Sequence, residues 1–192
     1  MAAEPIAVIV NPHSQGGGVG KKWPELAATL RRAVAFDTYL TTGPGHATQL
    51  AAQALAQGAQ TVVAVGGDGT INEVANGFFA GNTATHPQAS LAILPLGTGG
   101  DFRRSLGMTG KFDDACKALA AGTTREIDVG WLEHATAAGG KGTRIFVNVA
   151  SFGVSGVVVR MVKGIGNIRR KMRRVAGTER GWQGARCRVR VI

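Results

Sequence analysis

The chain is short of several things, and each shortage excludes something. It has two cysteines, Cys116 and Cys187, in 192 residues. They make neither a disulfide framework nor the paired spacing of a zinc site, and a reducing cytosol is the simplest compartment. His13, His86 and His134 stand alone, without metal-ligand spacing, and read as surface loop residues. Aromatic residues make up only 6%, and Trp23, Trp131 and Trp182 do not group into a stacking platform, so single-strand nucleic-acid binding lacks its partner. No apolar stretch approaches the length of a membrane span. The opening "MAAEPIAVIVNP" has no basic leader and carries Glu4, which makes it a poor signal peptide and a better first strand. The expectation is a soluble, cytoplasmic protein with at most peripheral contact at the inner face of the membrane.

What is present is an ordinary globular balance, 44% hydrophobic and 18% charged, with 29 glycines. The length allows one domain, or one domain and part of another. The net charge of +10 is unevenly placed. Residues 1–150 hold 11 Lys/Arg and 11 Asp/Glu, whereas residues 151–192 hold 11 Lys/Arg against Glu179 alone. Such a block suits anionic partners, nucleic acid or acidic lipid, and equally a solvated basic face.

Short apolar runs alternate with helix-length segments. "IAVIV" (6–10), "FDTYL" (36–40), "TVVAV" (61–65) and "LAILPL" (91–96) read as buried strands bounded by Gly, Pro or Asn. Lys22–Val34, His46–Gln57 and Asp113–Ala121 read as helices, and Ile71, Val74, Ala75, Phe78 and Phe79 share one helical face. This βαβα order predicts an α/β fold: an open, mostly parallel sheet with helices on both faces. From "REIDVGWLEH" (125–134) onward the composition turns β-type, with a terminal strand possible in "CRVRVI". The expected organisation is a nucleotide-binding domain over 1–128 and a partial β-rich domain with a basic tail over 129–192.

In open α/β sheets ligands sit at the carboxyl ends of the strands. Here those ends carry "NPHSQGGGVGKK", "TTGPGHA", "GGDGTINE" and "PLGTGGDF", four polar, glycine-rich loops that predict a nucleotide site. The first loop is not a P-loop: Gln15 stands where its leading glycine belongs, and Lys22 where a hydroxyl should meet Mg²⁺. In the third, Gly66 and Gly67 allow backbone amides to approach an anion. Thr70 and Glu73 fit a capping box that would start a helix at Ile71, aiming its N-terminus at phosphate. Asp68 fits a Mg²⁺ relay or general-base work, or a turn residue bonding its own backbone.

"GGDGTINEV" (66–74), with "NP" at 11–12 and "LPLGTGGDF" at 94–102, resembles the diacylglycerol kinase catalytic-domain family, and "TTGPGHA" (41–47) is similar to its second-strand loop. NAD kinases share the shorter GGDGT. The resemblance implies an ATP- and Mg²⁺-dependent kinase acting on the hydroxyl of diacylglycerol or a related lipid. It implies that Asn11, Thr41, Gly66, Gly67, Asp68, Gly69, Thr70, Ile71, Asn72, Gly97 and Thr98 line the nucleotide site, with Asp68 catalytic. Asp101 would support that site or cap its own helix. His46 sits where relatives often carry Asp, and reads as structural.

Two departures stand out. Gly100 replaces the family's usual Asn, and no D-G-E-like acidic stretch follows, since Glu179 is the only acid beyond Glu133. The resemblance therefore also predicts weak ATP binding and little lipid kinase activity for these 192 residues alone. The competing expectation is a non-catalytic nucleotide-binding module whose basic tail docks on membrane or nucleic acid. "VVVRMVKGIGNIRRKMRR" (157–174) would face anionic lipid in the kinase reading, which expects no nucleic-acid partner.

Overall fold

The computed structural model describes residues 5–96, 100–136, 139–148 and 187–192. The aliphatic runs form the centre of a seven-stranded sheet. Its strands are β1 (Ile6–Val10), β2 (Asp37–Leu40), β3 (Thr61–Gly66), β6 (Ser90–Pro95), β7 (Arg125–Ala135), β8 (Lys141–Phe146) and β9 (Cys187–Val191). A small hairpin, β4 (Phe79–Ala80) and β5 (Thr83–Ala84), stands apart as a second sheet. The order in the large sheet is β2-β1-β3-β6-β9-β7-β8. The first five run parallel, and β7 runs antiparallel to both β9 and β8.

Alternation along each strand sends side chains to two cores. Ala7, Ile9, Val62, Ala64, Leu91 and Ile93 face one way, against α2 (His46–Ala56) and α3 (Asp68–Asn76). Val8, Val10, Val63, Val65, Ala92 and Leu94 face the other, against α1 (Gly18–Arg31) and α5 (Phe112–Ala121). A strand buried on both faces must be apolar at every position, which is why β1 and β3 read as unbroken aliphatic runs. The expected doubly covered, mostly parallel α/β sheet is what the chain forms. The short α4 (Asp101–Ser105) follows β6.

The boundary expected after residue 128 falls inside β7. Residues 125–129 of that strand pair with β9, and 130–135 with β8. Residues 187–191 then insert between β6 and β7 in the same sheet, so one compact unit holds the chain up to 148 and from 186 onward. The change to β-type composition near residue 125 marks antiparallel strands added to the parallel sheet. Most of the expected second domain, including the basic stretch 157–174, lies outside the described residues. Among the described residues no helix is long and apolar enough to cross a membrane.

Candidate functional site

β1 has β2 on one side and β3 on the other, so the loops leaving β1 and β3 diverge and open a crevice at their carboxyl ends. Asn11 closes β1. Its N–H bonds Val65 O at 3.0 Å, its side-chain Nδ2 donates to Thr70 Oγ1 at 3.1 Å, and its Oδ1 accepts the His13 N–H at 3.0 Å. Thr41 closes β2, buried, with its N–H on Val10 O at 2.9 Å. The loop after it is held from two directions. The Thr42 N–H donates to His46 Nδ1 at 3.0 Å, and the Gly45 N–H donates to Glu73 Oε2 at 3.0 Å. Between these groups lies a cleft of about 370 Å³ lined by Asn11, Thr41, Thr42, Ala47, Thr70 and Glu73, among others. That volume lies in the range of small-molecule pockets.

The glycine-rich turn beside this cleft works differently from the sequence expectation. α3 starts at Asp68, three residues before Ile71, and its N-cap is Gly67 with no side-chain cap. Thr70 and Glu73 therefore form no capping box; longer-range partners, Asn11 for Thr70 and Gly45 for Glu73, take both side chains. Neither Gly66 nor Gly67 has positive φ. Gly66 is required for space: a Cβ there would lie 2.6 Å from Thr70 Oγ1 and 2.8 Å from Thr70 Cβ.

The first intrahelical bond of α3 runs from the Ile71 N–H to Gly67 O at 3.1 Å, so the N–H groups of Asp68, Gly69 and Thr70 precede it. Gly69 is exposed, and a Cβ on it would meet nothing within 4 Å. Unpaired amides at a helix start, carrying its partial positive charge, suit an anion. Asp68 sits in the same turn. Its Oδ2 accepts the Asp101 N–H at 3.3 Å, while its buried Oδ1 has no hydrogen-bond partner. A buried carboxylate oxygen left open beside helix-end amides fits a hard cation shared with phosphate oxygens. Among the described residues no group of three His, Cys, Asp or Glu side chains could hold a metal by itself. Asp68 alone would therefore be the protein's ligand, and a cation there would need the rest of its shell from outside the described residues.

Of the residues the resemblance put at the site, Asn11, Thr41 and Thr70 line the cleft, and Gly66 to Gly69 form the adjoining turn. Ile71 is not part of it, because its side chain is buried in the core and its N–H is already bonded. Asn72 turns away, its Oδ1 accepting the Val147 N–H at 3.3 Å. Gly97 and Thr98 lie outside the described residues. Asp101 is the first residue of α4, whose N-cap is Gly100, so the capping role falls to its neighbour; its carboxylate pairs with Arg104. His46 is structural, as expected, and His134 lies in β7, not in a loop. Glu73 was missed as a cleft residue. Its i+3 relation to Thr70 looked local, and only the fold brings Gly45, 28 residues away, to its carboxylate.

Comparison with known proteins decides the family. The model of the diacylglycerol kinase catalytic domain matches residues 5–132. The chain belongs to that family. "Probable lipid kinase YegS" of Salmonella dublin is 38% identical over 126 residues, 62% of this chain and 42% of that protein. A "Diacylglycerol kinase" of Staphylococcus saprophyticus is 34% identical over 149 residues, 76% of this chain and 44% of that protein. A crystal structure of a diacylglycerol kinase from Bacillus anthracis str. Sterne superposes with a TM-score of 0.57 at 27% identity, covering 68% of this chain and 46% of that one. The chain thus spans less than half the length of the curated relatives it matches. In this diacylglycerol kinase catalytic domain the Gly100 departure has a physical reading. Gly100 has φ 75° and ψ 26°, a left-handed conformation that Gly and Asn both accommodate. The backbone turn survives the replacement, and what is lost is a side-chain amide.

Proposed function

We propose that this chain supplies the ATP-binding part of a lipid kinase, one that transfers the γ-phosphate of ATP to the hydroxyl of diacylglycerol or a related lipid. The observation that carries the reading is the unpartnered Asp68 Oδ1, buried beside the free amides of α3 next to the cleft that Thr70 lines. The cleft receives the nucleoside, with Glu73, Asn11 and the Thr41–Thr42 hydroxyls offering partners to ribose hydroxyls and base edges. The polyphosphate runs toward the first turn of α3, where the Asp68, Gly69 and Thr70 amides meet its charge.

In the reaction the lipid hydroxyl oxygen forms a bond to the γ-phosphorus as the bond to the β–γ bridging oxygen breaks; ADP leaves and the hydroxyl proton is released to water. The transition state is loose, so alignment and charge neutralisation set most of the rate. Mg²⁺, when bound, neutralises phosphate charge and keeps the bridging oxygen a good leaving group. Asp68 would hold it through Oδ1, and the Asp101 N–H fixes the other carboxylate oxygen and so the orientation of the group. The lipid arrives from a membrane surface, which makes the working place the cytoplasmic face of a membrane touched peripherally. The basic excess after residue 150 supports docking on anionic lipid.

The test is transfer of label from γ-labelled ATP to diacylglycerol in mixed micelles by the complete gene product, with its Asp68→Asn variant beside it. Mg²⁺-dependent label in the lipid, reduced about 100-fold by the substitution, is expected for loss of a transition-state charge contact. A second reading, a nucleotide-binding module without transfer, draws on the lack of any three-ligand acidic cluster among the described residues. ATP binding with no labelled lipid from the complete gene product would establish it.

A further inference from the structure

Among the described residues β8 ends the sheet, so one side of its backbone has no neighbouring strand there. In an antiparallel pair alternate residues turn both N–H and C=O outward. Ile145, opposite Trp131, is such a residue, and its outward groups are met by a helix. Asn76, in the last turn of α3, donates from Nδ2 to Ile145 O at 2.9 Å and accepts the Ile145 N–H at Oδ1, also at 2.9 Å. One side-chain amide thus pairs with one residue as a neighbouring strand would. One turn earlier, Asn72 Oδ1 accepts the Val147 N–H at 3.3 Å, and Asn76 Nδ2 also donates to Asn72 O at 2.7 Å. Two residues four apart on one helix face therefore grip Ile145 at the edge of β8 and Val147 just past its end.

Asparagine is a poor helix-interior residue, because its side chain competes for backbone groups. Two of them in a nine-residue helix are a cost to α3 unless they do something the helix needs. The apolar contacts of Ile71, Val74 and Ala75 hold α3 against the sheet but are non-directional. A two-point amide pair is directional, since any shift along or around the axis breaks both bonds at once. α3 has no side-chain cap at its N-terminus, the end to which the kinase reading assigns the phosphates.

We propose that Asn76, with Asn72, is a positioning pair for the phosphate end of the site: by locking α3 to the edge of β8 it fixes where the Asp68, Gly69 and Thr70 amides stand. In this role both asparagines act through the backbone of Ile145 and Val147 and need no contact with the nucleotide. The β7–β8 hairpin becomes the fixed reference for the glycine-rich turn at the other end of α3. The nucleotide arm of this proposal rests on the kinase reading above, and its exchange arm does not.

The experiment is residue-resolved amide hydrogen exchange on the full chain and on Asn76→Asp and Asn72→Ala, together with Mg²⁺–ATP titration. Asp at 76 keeps size and one acceptor but cannot donate to Ile145 O or Asn72 O. Asn72→Ala removes only the Val147 bond and leaves both Ile145 bonds in place, so it stays folded and gives the smaller effect. For Asn76→Asp, exchange is expected to quicken at Ile145 and also at Ile71, whose N–H closes the first turn of α3, by about threefold to tenfold, the value of one or two hydrogen bonds. ATP affinity should fall by a similar factor with the maximum heat unchanged. Faster exchange at Ile145 and Val147 with Ile71 unaltered in both variants would overturn the proposal and leave the pair as local edge covers. If the unaltered chain binds no ATP, the kinase reading fails while the exchange comparison still decides this one.

Discussion

The side-chain amide of Asn11 donates to the Thr70 hydroxyl at 3.1 Å across 59 residues of sequence, tying the end of β1 to the first turn of α3. The same Asn11 receives the His13 N–H, so one side chain sets both the loop leaving β1 and the helix leaving β3. Replacing Asn11 by Ala leaves the His13 N–H and the buried Thr70 hydroxyl without this partner. The expected loss is about 1–2 kcal/mol of folding stability, read by urea denaturation, with weaker nucleotide binding in titration.

Two neighbouring glycines should respond in opposite ways. Gly66→Ala forces a Cβ within 3 Å of Thr70 and against Ser14 Oγ at 3.0 Å. Overpacking at such a site costs about 1–3 kcal/mol, visible as a lower urea midpoint. Gly69→Ala meets open space within a helix, so it should raise stability by about 0.5–1 kcal/mol. If that space is where phosphate approaches the amides, Gly69→Ala also lowers ATP affinity. A variant that is more stable and binds less separates a ligand-facing glycine from a structural one.

Cys116 gives a pH dependence of definite sign. It is buried in the core of α5, and burial first, then the nearby Asp113 carboxylate, pushes its thiol above the ordinary range. A raised value in the folded state means that the folded chain holds its proton more tightly than the unfolded one. The associated stability is complete below the ordinary thiol range and declines as pH rises through the raised value. Denaturation midpoints should fall over that alkaline window, and Cys116→Ala should flatten that part of the decline. The thiol should also resist alkylation at neutral pH until the chain unfolds.

Much of this molecule can be read from its residues, and the reasons differ from place to place. β1, β3 and β6 are legible because strands buried on both faces need aliphatic residues throughout and end at Gly, Pro or Asn. β9 shows in "CRVRV", but nothing local says that it inserts between β6 and β7. The start of α3 was set three residues late, since Thr70-x-x-Glu73 satisfies a local rule while both side chains are claimed from far along the chain. Asn72 carried the motif, but its side-chain oxygen is met by the Val147 N–H, because the direction of a helical side chain depends on what lies beside the helix, here the segment just past β8. The one visible sign was the pair of asparagines at i and i+4, unfavourable in a helix and therefore in need of partners.

The central claim is that Asp68 and the first turn of α3 hold the phosphates of a Mg²⁺-bound nucleotide. Isothermal titration of ATP into the chain, with and without Mg²⁺ and with Asp68→Asn as comparator, tests it most directly. Asn at 68 can still accept the Asp101 N–H but is a poorer ligand for a hard cation. Saturable binding that needs Mg²⁺ and weakens at least about tenfold in Asp68→Asn, a difference of about 1.4 kcal/mol, is the predicted result. Binding that ignores both Mg²⁺ and the substitution, or no binding at all by the folded chain, would contradict it.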